Sequence, residues 1–267
     1  MKKSLYIAAI VVLLVIFGIS AFQVGSYVLE SRQQEEQFDD LAASVQAAQE
    51  AAAATTEPDE TTEATEEPVE TTEGEPVILP GYAELYEDNP DMVGWLKIEG
   101  TKLNYPVMQT PHEKDYYLKR DFYGNHSEHG CIYAREECDV FRPSDNITLY
   151  GHNMKDGSMF APLNAYVNKD AWEYNSFIFF DTLYENHVYE IFAVFTTTAS
   201  IGEGFSYHQM EDAADEEEFN EFIRTCKDLQ LYETGITPVY GDKIICLSTC
   251  EYSQDNGRLV VAAYRIS

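Results

Sequence analysis

Positive charge is what this sequence has least of. Against 47 Asp and Glu stand only 17 Lys and Arg in 267 residues, a formal charge of −30 at pH 7. Nucleic acid is not expected as a partner, because it is held by basic grooves that neutralise phosphate, and this surface repels it. Cysteine is also sparse. The five cysteines, at 131, 138, 226, 246 and 250, are an odd number, spaced by 7, 88, 20 and 4 residues. That spacing holds no Cys-x-x-Cys pair and no His/Cys cluster suited to zinc, so we expect no disulfide scaffold, no metal and no other cofactor. What the chain does have is 45% hydrophobic and 13% aromatic residues, enough to bury a core and to exclude disorder throughout.

The acid excess is spread along the chain. Residues 1–76 carry 15 acids and 3 bases, and residues 77–267 carry 32 and 14. The first reading of such a surface is solvation; the second is attraction to basic partners.

Long apolar runs are rare as well, and the one at the start has a clear grammar. Lys2 and Lys3 precede Leu5 to Phe22, 18 weakly polar residues that as a helix extend roughly 27 Å at about 1.5 Å per residue. A cleaved signal peptide begins the same way, but its apolar core usually runs ~7–15 residues and is followed by an Ala-x-Ala site, which is missing here. Residues 5–22 therefore read as an uncleaved transmembrane signal anchor, with residues 1–4 in the cytoplasm and the remainder outside the membrane. Residues 23–54, rich in Gln, Glu and Ala with a thin apolar stripe of Phe38, Leu41 and Val45, predict a juxtamembrane helix. Residues 55–76 contain nine acids, no base and three prolines. They bury too little apolar area to offset chain entropy and predict an extended linker that spaces the following domain from the bilayer.

From residue 77 to 267 the texture changes to short aromatic and β-branched runs between turn residues. A short helix over Leu85–Trp95 leads into a strand at Trp95–Ile98. Further strands are expected at Tyr105–Met108, Gly130–Ala134, Asn146–Tyr150, Ser176–Asp181, His187–Thr198, Lys243–Thr249 and Arg258–Ile266. Eight strands at this spacing predict an antiparallel barrel or sandwich. Asp212–Leu231 departs from the pattern, with Phe219, Phe222, Ile223, Cys226 and Leu229 at helical spacing behind a run of acids, and predicts an amphipathic helix between two late strands.

Two segments carry chemistry. Ile244 to Leu247 is an apolar strand that ends in Ser248, Thr249, Cys250 and Glu251, and Asn256-Gly257 then turns the chain into a strand starting at Arg258. The thiol is thus placed for exposure, with Arg258 beside it across a hairpin. A free thiol, with its pKa near 8.5, is only about 3% thiolate at neutral pH, and a neighbouring cation raises that fraction. In the second segment, Tyr150-Gly151-His152-Asn153-Met154, the imidazole leaves a strand end beside a glycine.

Together these two segments resemble the sortases, membrane-anchored cysteine transpeptidases of Gram-positive bacteria. The resemblance covers Tyr82 to Ile266. Asn89 to Ile98, Tyr105 to Gln109, Tyr117-Leu118 and Gly151 to Phe160 are similar to class B in particular, as is a long helix before the penultimate strand. It implies a mainly β fold, a sortase-like eight-stranded β-barrel with an N-terminal helix and a long helix inserted between late strands. It further implies Cys250 as nucleophile, His152 as general acid and base, and Arg258 as the group that steadies substrate and oxyanion. Ser248, Thr249 and Glu251 are implied as substrate contacts, with backbone N–H groups near Glu251 helping to hold the oxyanion. The partners implied are secreted proteins with a C-terminal sorting signal, of Asn-Pro-x-Thr-x or Pro-Pro-x-Thr-Gly type, an amine of a peptidoglycan precursor, and the membrane. A pilin-polymerising enzyme and a non-catalytic, membrane-tethered peptide-binding module are the alternatives. Peptide preference is expected to lie in Thr196 to His208 and the helix that follows.

One departure from the family wording is a thiol, Cys246, where a threonine stands before Leu247-Ser248-Thr249-Cys250. Four residues put it about 13 Å from Cys250 at ~3.3 Å per residue, too far for a bridge, so it is expected to pack. Cys131 and Cys138 read as two unpaired thiols, although an extracellular setting permits a disulfide.

Overall fold

The structure is a computed structural model and describes residues 2–55, 76–200, 202–252 and 256–267. The expected acidic linker falls almost entirely outside these residues. The chain divides into two compact units, Met1–Asp40 and Leu41–Ser267. The expected anchor and juxtamembrane helix are one element, α1 (Lys2–Thr55). Its apolar side chains from Ile10 to Phe22 are exposed, and the helix is long and apolar enough to cross a membrane.

The second unit is built on eight strands: β1 (Met92–Lys97), β2 (Asn104–Met108), β3 (Ile132–Ala134), β4 (Asn146–Tyr150), β5 (Phe177–Thr182), β6 (Val188–Thr198), β7 (Ile244–Cys250) and β8 (Gly257–Arg265). They close into a barrel in the order β1-β2-β3-β4-β7-β8-β6-β5. Every expected strand is present, but the barrel is not wholly antiparallel. β2 and β3 run parallel, as do β4 and β7, because in each case the connecting chain crosses over instead of turning back.

The first short helix, α2 (Ala83–Asp88), stops earlier than expected and β1 begins sooner. Pro90 disfavours a helical Asn89, and the Asn89 side chain accepts the Asp91 N–H to make a turn. The segment between β4 and β5 holds a 3₁₀ helix, Ala161–Val167, and α3 (Lys169–Tyr174). Neither is long enough to show a hydrophobic period.

The inserted helix is α4 (Glu216–Leu229), between β6 and β7. Asp215 caps it by accepting the Glu218 N–H, and the Glu218 carboxylate accepts the Ala214 N–H in return. Phe219, Phe222, Ile223 and Cys226 of α4 pack in one cluster with Phe195 of β6, Ile244 and Cys246 of β7, and Val260 and Ala262 of β8. By strand alternation the intervening Ile245, Leu247, Leu259 and Val261, all fully buried, fill the barrel interior. Cys246 packs under α4, and burial pushes its thiol above the ordinary range. Cys131 and Cys138 are buried and unbridged.

Candidate active site

The parallel pairing of β4 with β7 puts two sequence-distant strand ends side by side. Leu149 stands opposite Leu247 and Tyr150 opposite Ser248, so the chain emerges at Gly151-His152 on one strand and at Thr249-Cys250 on the other. Across the β7–β8 hairpin, Cys250 is paired with Arg258. Cys250, His152 and Arg258 all line one cleft of about 290 Å³, and Cys250 is half-buried.

The loop after β4 is fastened to β7 by main-chain and side-chain bonds. Gly151 N–H donates to the Ser248 carbonyl at 3.3 Å, and the Thr249 hydroxyl donates to the Gly151 carbonyl at 2.8 Å. The Asn153 amide donates to the Cys250 carbonyl at 2.8 Å; its own oxygen accepts from Asn164 at 2.8 Å. Tyr252 adds a bond from its hydroxyl to the Asn153 carbonyl at 3.3 Å. Gly151 is required by space: a Cβ there would lie 2.5 Å from Ile132 and 2.7 Å from Phe160. Asn153 belongs to the histidine motif but is not among the residues expected at the site. Its signal in the sequence was only its place next to His152.

His152 makes a 2.8 Å bond from Nε2 to the Leu118 carbonyl. A carbonyl only accepts, so Nε2 carries the hydrogen and Nδ1 is the nitrogen left to gain or lose a proton. The loop is held from its far side as well, where Asp156 meets the buried His129 at 2.8 Å.

Of the contacts expected at Ser248, Thr249 and Glu251, the first two line the same cleft. Ser248 and Thr249 are 1% and 2% exposed. The Ser248 hydroxyl lies 2.6 Å from the Tyr207 hydroxyl, and that of Thr249 is given to Gly151. Both side chains are therefore committed to the cleft floor. The Glu251 N–H, expected near the oxyanion, is donated to the Gly257 carbonyl at 2.9 Å. Arg258 uses one nitrogen, Nη1, for the Gly257 carbonyl at 3.0 Å and the Asn256 carbonyl at 3.4 Å, while a guanidinium carries five N–H donors in all.

The far wall of the cleft comes from the end of β6 and the chain after it. Thr198, Ala199, Phe205, Tyr207 and His208 line it, within the segment where peptide preference was expected. Burial pushes the Tyr207 hydroxyl up to about 12. Burial, with Arg135 and Lys114 nearby, holds the His208 imidazole below its ordinary value.

The chain is similar to known proteins in sequence and in fold. Residues 96–266 match the family model of the sortase domain. The chain is 33% identical to sortase B of Listeria monocytogenes over 67% of this chain and 71% of that protein. It is 31% identical to sortase B of Staphylococcus aureus over 70% of this chain and 75% of that protein. A solved Staphylococcus aureus sortase B–substrate complex superposes with a TM-score of 0.73 at 26% identity, covering 90% of this chain and 99% of that one.

Proposed function

This chain belongs to the sortase family and is a class B cysteine transpeptidase, and we propose that it cleaves a C-terminal sorting motif after threonine through a thioester on Cys250. The acyl group then passes to an amine of a cell-wall peptide. The observation that carries the reading is the meeting of the β4 and β7 ends, with Arg258 opposite Cys250.

The Cys250 thiolate attacks the threonine carbonyl, forming a C–S bond while the carbonyl π electrons move to oxygen. A cation beside the reacting carbonyl lowers the energy of that oxyanion, and this is the role we assign to Arg258, the cross-strand partner of Cys250. As the intermediate collapses the C–N bond breaks, and the imidazolium of His152 gives its Nδ1 proton to the departing amine. An incoming amine then attacks the thioester, neutral His152 takes its proton, and the C–S bond breaks to return the thiolate. The membrane helix holds the barrel at the outer face of the membrane, where both substrates are met.

Intact mass measurement of the protein mixed with a panel of sorting peptides tests this, beside a Cys250→Ala control. The expected result is an acyl adduct on the native chain with one peptide and none on the variant. An adduct that survives in Cys250→Ala overturns the assignment of the nucleophile.

A further inference from the structure

The loop that carries His152 closes on itself as a small hairpin. Phe160 N–H donates to the His152 carbonyl at 2.9 Å, and Asn153 forms a bridge with Met159. Asp156 stands at the tip, where its Oδ1 accepts the Ser158 N–H at 3.0 Å and the Ser158 hydroxyl at 2.6 Å. The other oxygen, Oδ2, lies 2.8 Å from Nε2 of His129, a side chain only 3% exposed. A carboxylate only accepts, so this Nε2 carries a hydrogen. The segment that presents His129 has a second task. Ser127 N–H donates to the Lys119 carbonyl and Cys131 N–H to the Tyr117 carbonyl, both at 3.0 Å. Residues 127–131 therefore bracket Leu118, whose carbonyl receives the Nε2–H of His152. Gly130 rests on that peptide with a φ of +60°, and a Cβ there would come within 2.5 Å of the Leu118 carbonyl oxygen. Only glycine meets both conditions.

One short segment thus grips both the carbonyl that holds the His152 ring and the tip of the loop that bears it. We propose that His129 is a positioning residue for His152, acting through its bond to Asp156. The inference rests on the reading of His152 as general acid and base. With the bond in place, ring and acceptor are fixed to the same piece of chain, the hydrogen stays on Nε2, and Nδ1 is kept for proton transfer. Without it the tip of the loop is released, although Asn153 still ties its base to the Cys250 carbonyl. The ring then parts from Leu118 and its hydrogen distributes between the two nitrogens. A misplacement of about 1 Å costs on the order of 10²-fold in rate, while peptide binding to the other cleft walls is spared.

The test uses the full chain in detergent, labelled with ¹⁵N in its histidine rings, as the native protein, His129→Phe and His129→Gln. Phenylalanine fills the space of the ring without a donor, and glutamine returns an N–H donor of similar reach. In His129→Phe, kcat for the peptide found by mass measurement is expected to fall about 10–100-fold with KM within about twofold, and His129→Gln is expected to recover most of that loss. The His152 ring shifts should report the Nε2–H form in the native chain and a mixture of the two neutral forms in His129→Phe. Native kcat and native His152 shifts in a folded His129→Phe overturn the proposal. So do equal losses in the two variants, since packing and not the bond would then be responsible. The ring shifts need no substrate, so a native chain that forms no adduct with any peptide counts against the transpeptidase reading, and the shifts alone then decide the positioning role. If His129→Phe fails to fold, Asp156→Ala removes the same bond from its more exposed end, and the same two measurements decide.

Discussion

Asn153 holds the carbonyl of the residue that bears the thiol, so its amide fixes where the sulfur sits relative to the imidazole. Asn153→Ala should lower kcat about 10–100-fold with KM little changed, since a misplacement on the order of 1 Å is enough for that loss. Steady-state kinetics on the sorting peptide found by mass measurement would read it, and a change confined to KM would show that Asn153 contacts substrate instead. Gly151→Ala acts one residue earlier and differently. Its methyl meets Ile132 and Phe160, an overpacking that costs about 1–3 kcal/mol and should appear as a lower midpoint in thermal or denaturant unfolding. A third residue-scale effect is pH. His187 and His208 both have pKa values held below the ordinary 6.5, first by burial and then by nearby cations, Arg265 for one and Arg135 with Lys114 for the other. The unfolded chain therefore takes up these protons before the folded one does. Their contribution to stability is complete above about pH 6.5 and is lost as pH falls through the folded values. Thermal midpoints measured from pH 7.5 down to 5 should fall less steeply in a His187→Gln, His208→Gln double variant than in the native chain.

The elements divide into those that local sequence declares and those that only the assembled barrel explains. The strands were legible because alternation and turn residues mark each one, and α4 because five apolar residues at helical spacing stand behind an acidic start. Which strands pair was not legible. β4 and β7 are joined by contacts such as Thr249 to Gly151, 98 positions apart, and no local pattern encodes that neighbour. The same limit applies to the site. Cys250 and Arg258 could be placed together from a hairpin, whereas His152 joined them only through family resemblance, and the partners of the Ser248 and Thr249 hydroxyls, Tyr207 and Gly151, are set by the folded barrel. α4 itself offers a prediction. Phe222 is 4% exposed in the cluster under that helix, and Phe222→Ala should cost about 3–5 kcal/mol in chemical denaturation. Exchanging residues 196–208 for the matching segment of another class B enzyme should change which peptide forms the adduct, because this segment walls the cleft. An unchanged preference would move specificity elsewhere.

At the scale of the whole molecule, a net charge of −30 keeps the surface solvated but sets it against itself. Raising ionic strength from about 0.02 to 0.3 M shortens the Debye length several-fold and should raise the thermal midpoint by relieving that repulsion; a fall would mean that attractive ion pairs dominate. The parallel β4–β7 ladder has a further effect, on the order of events in the life of the chain. Cys250 and His152, some hundred residues apart, are brought to one cleft only after β7 and β8 have joined a barrel whose other strands were made earlier. Such long-range closure is slow compared with local helix formation. The cleft that Cys250, His152 and Arg258 share is therefore complete only when the last two strands have joined the barrel.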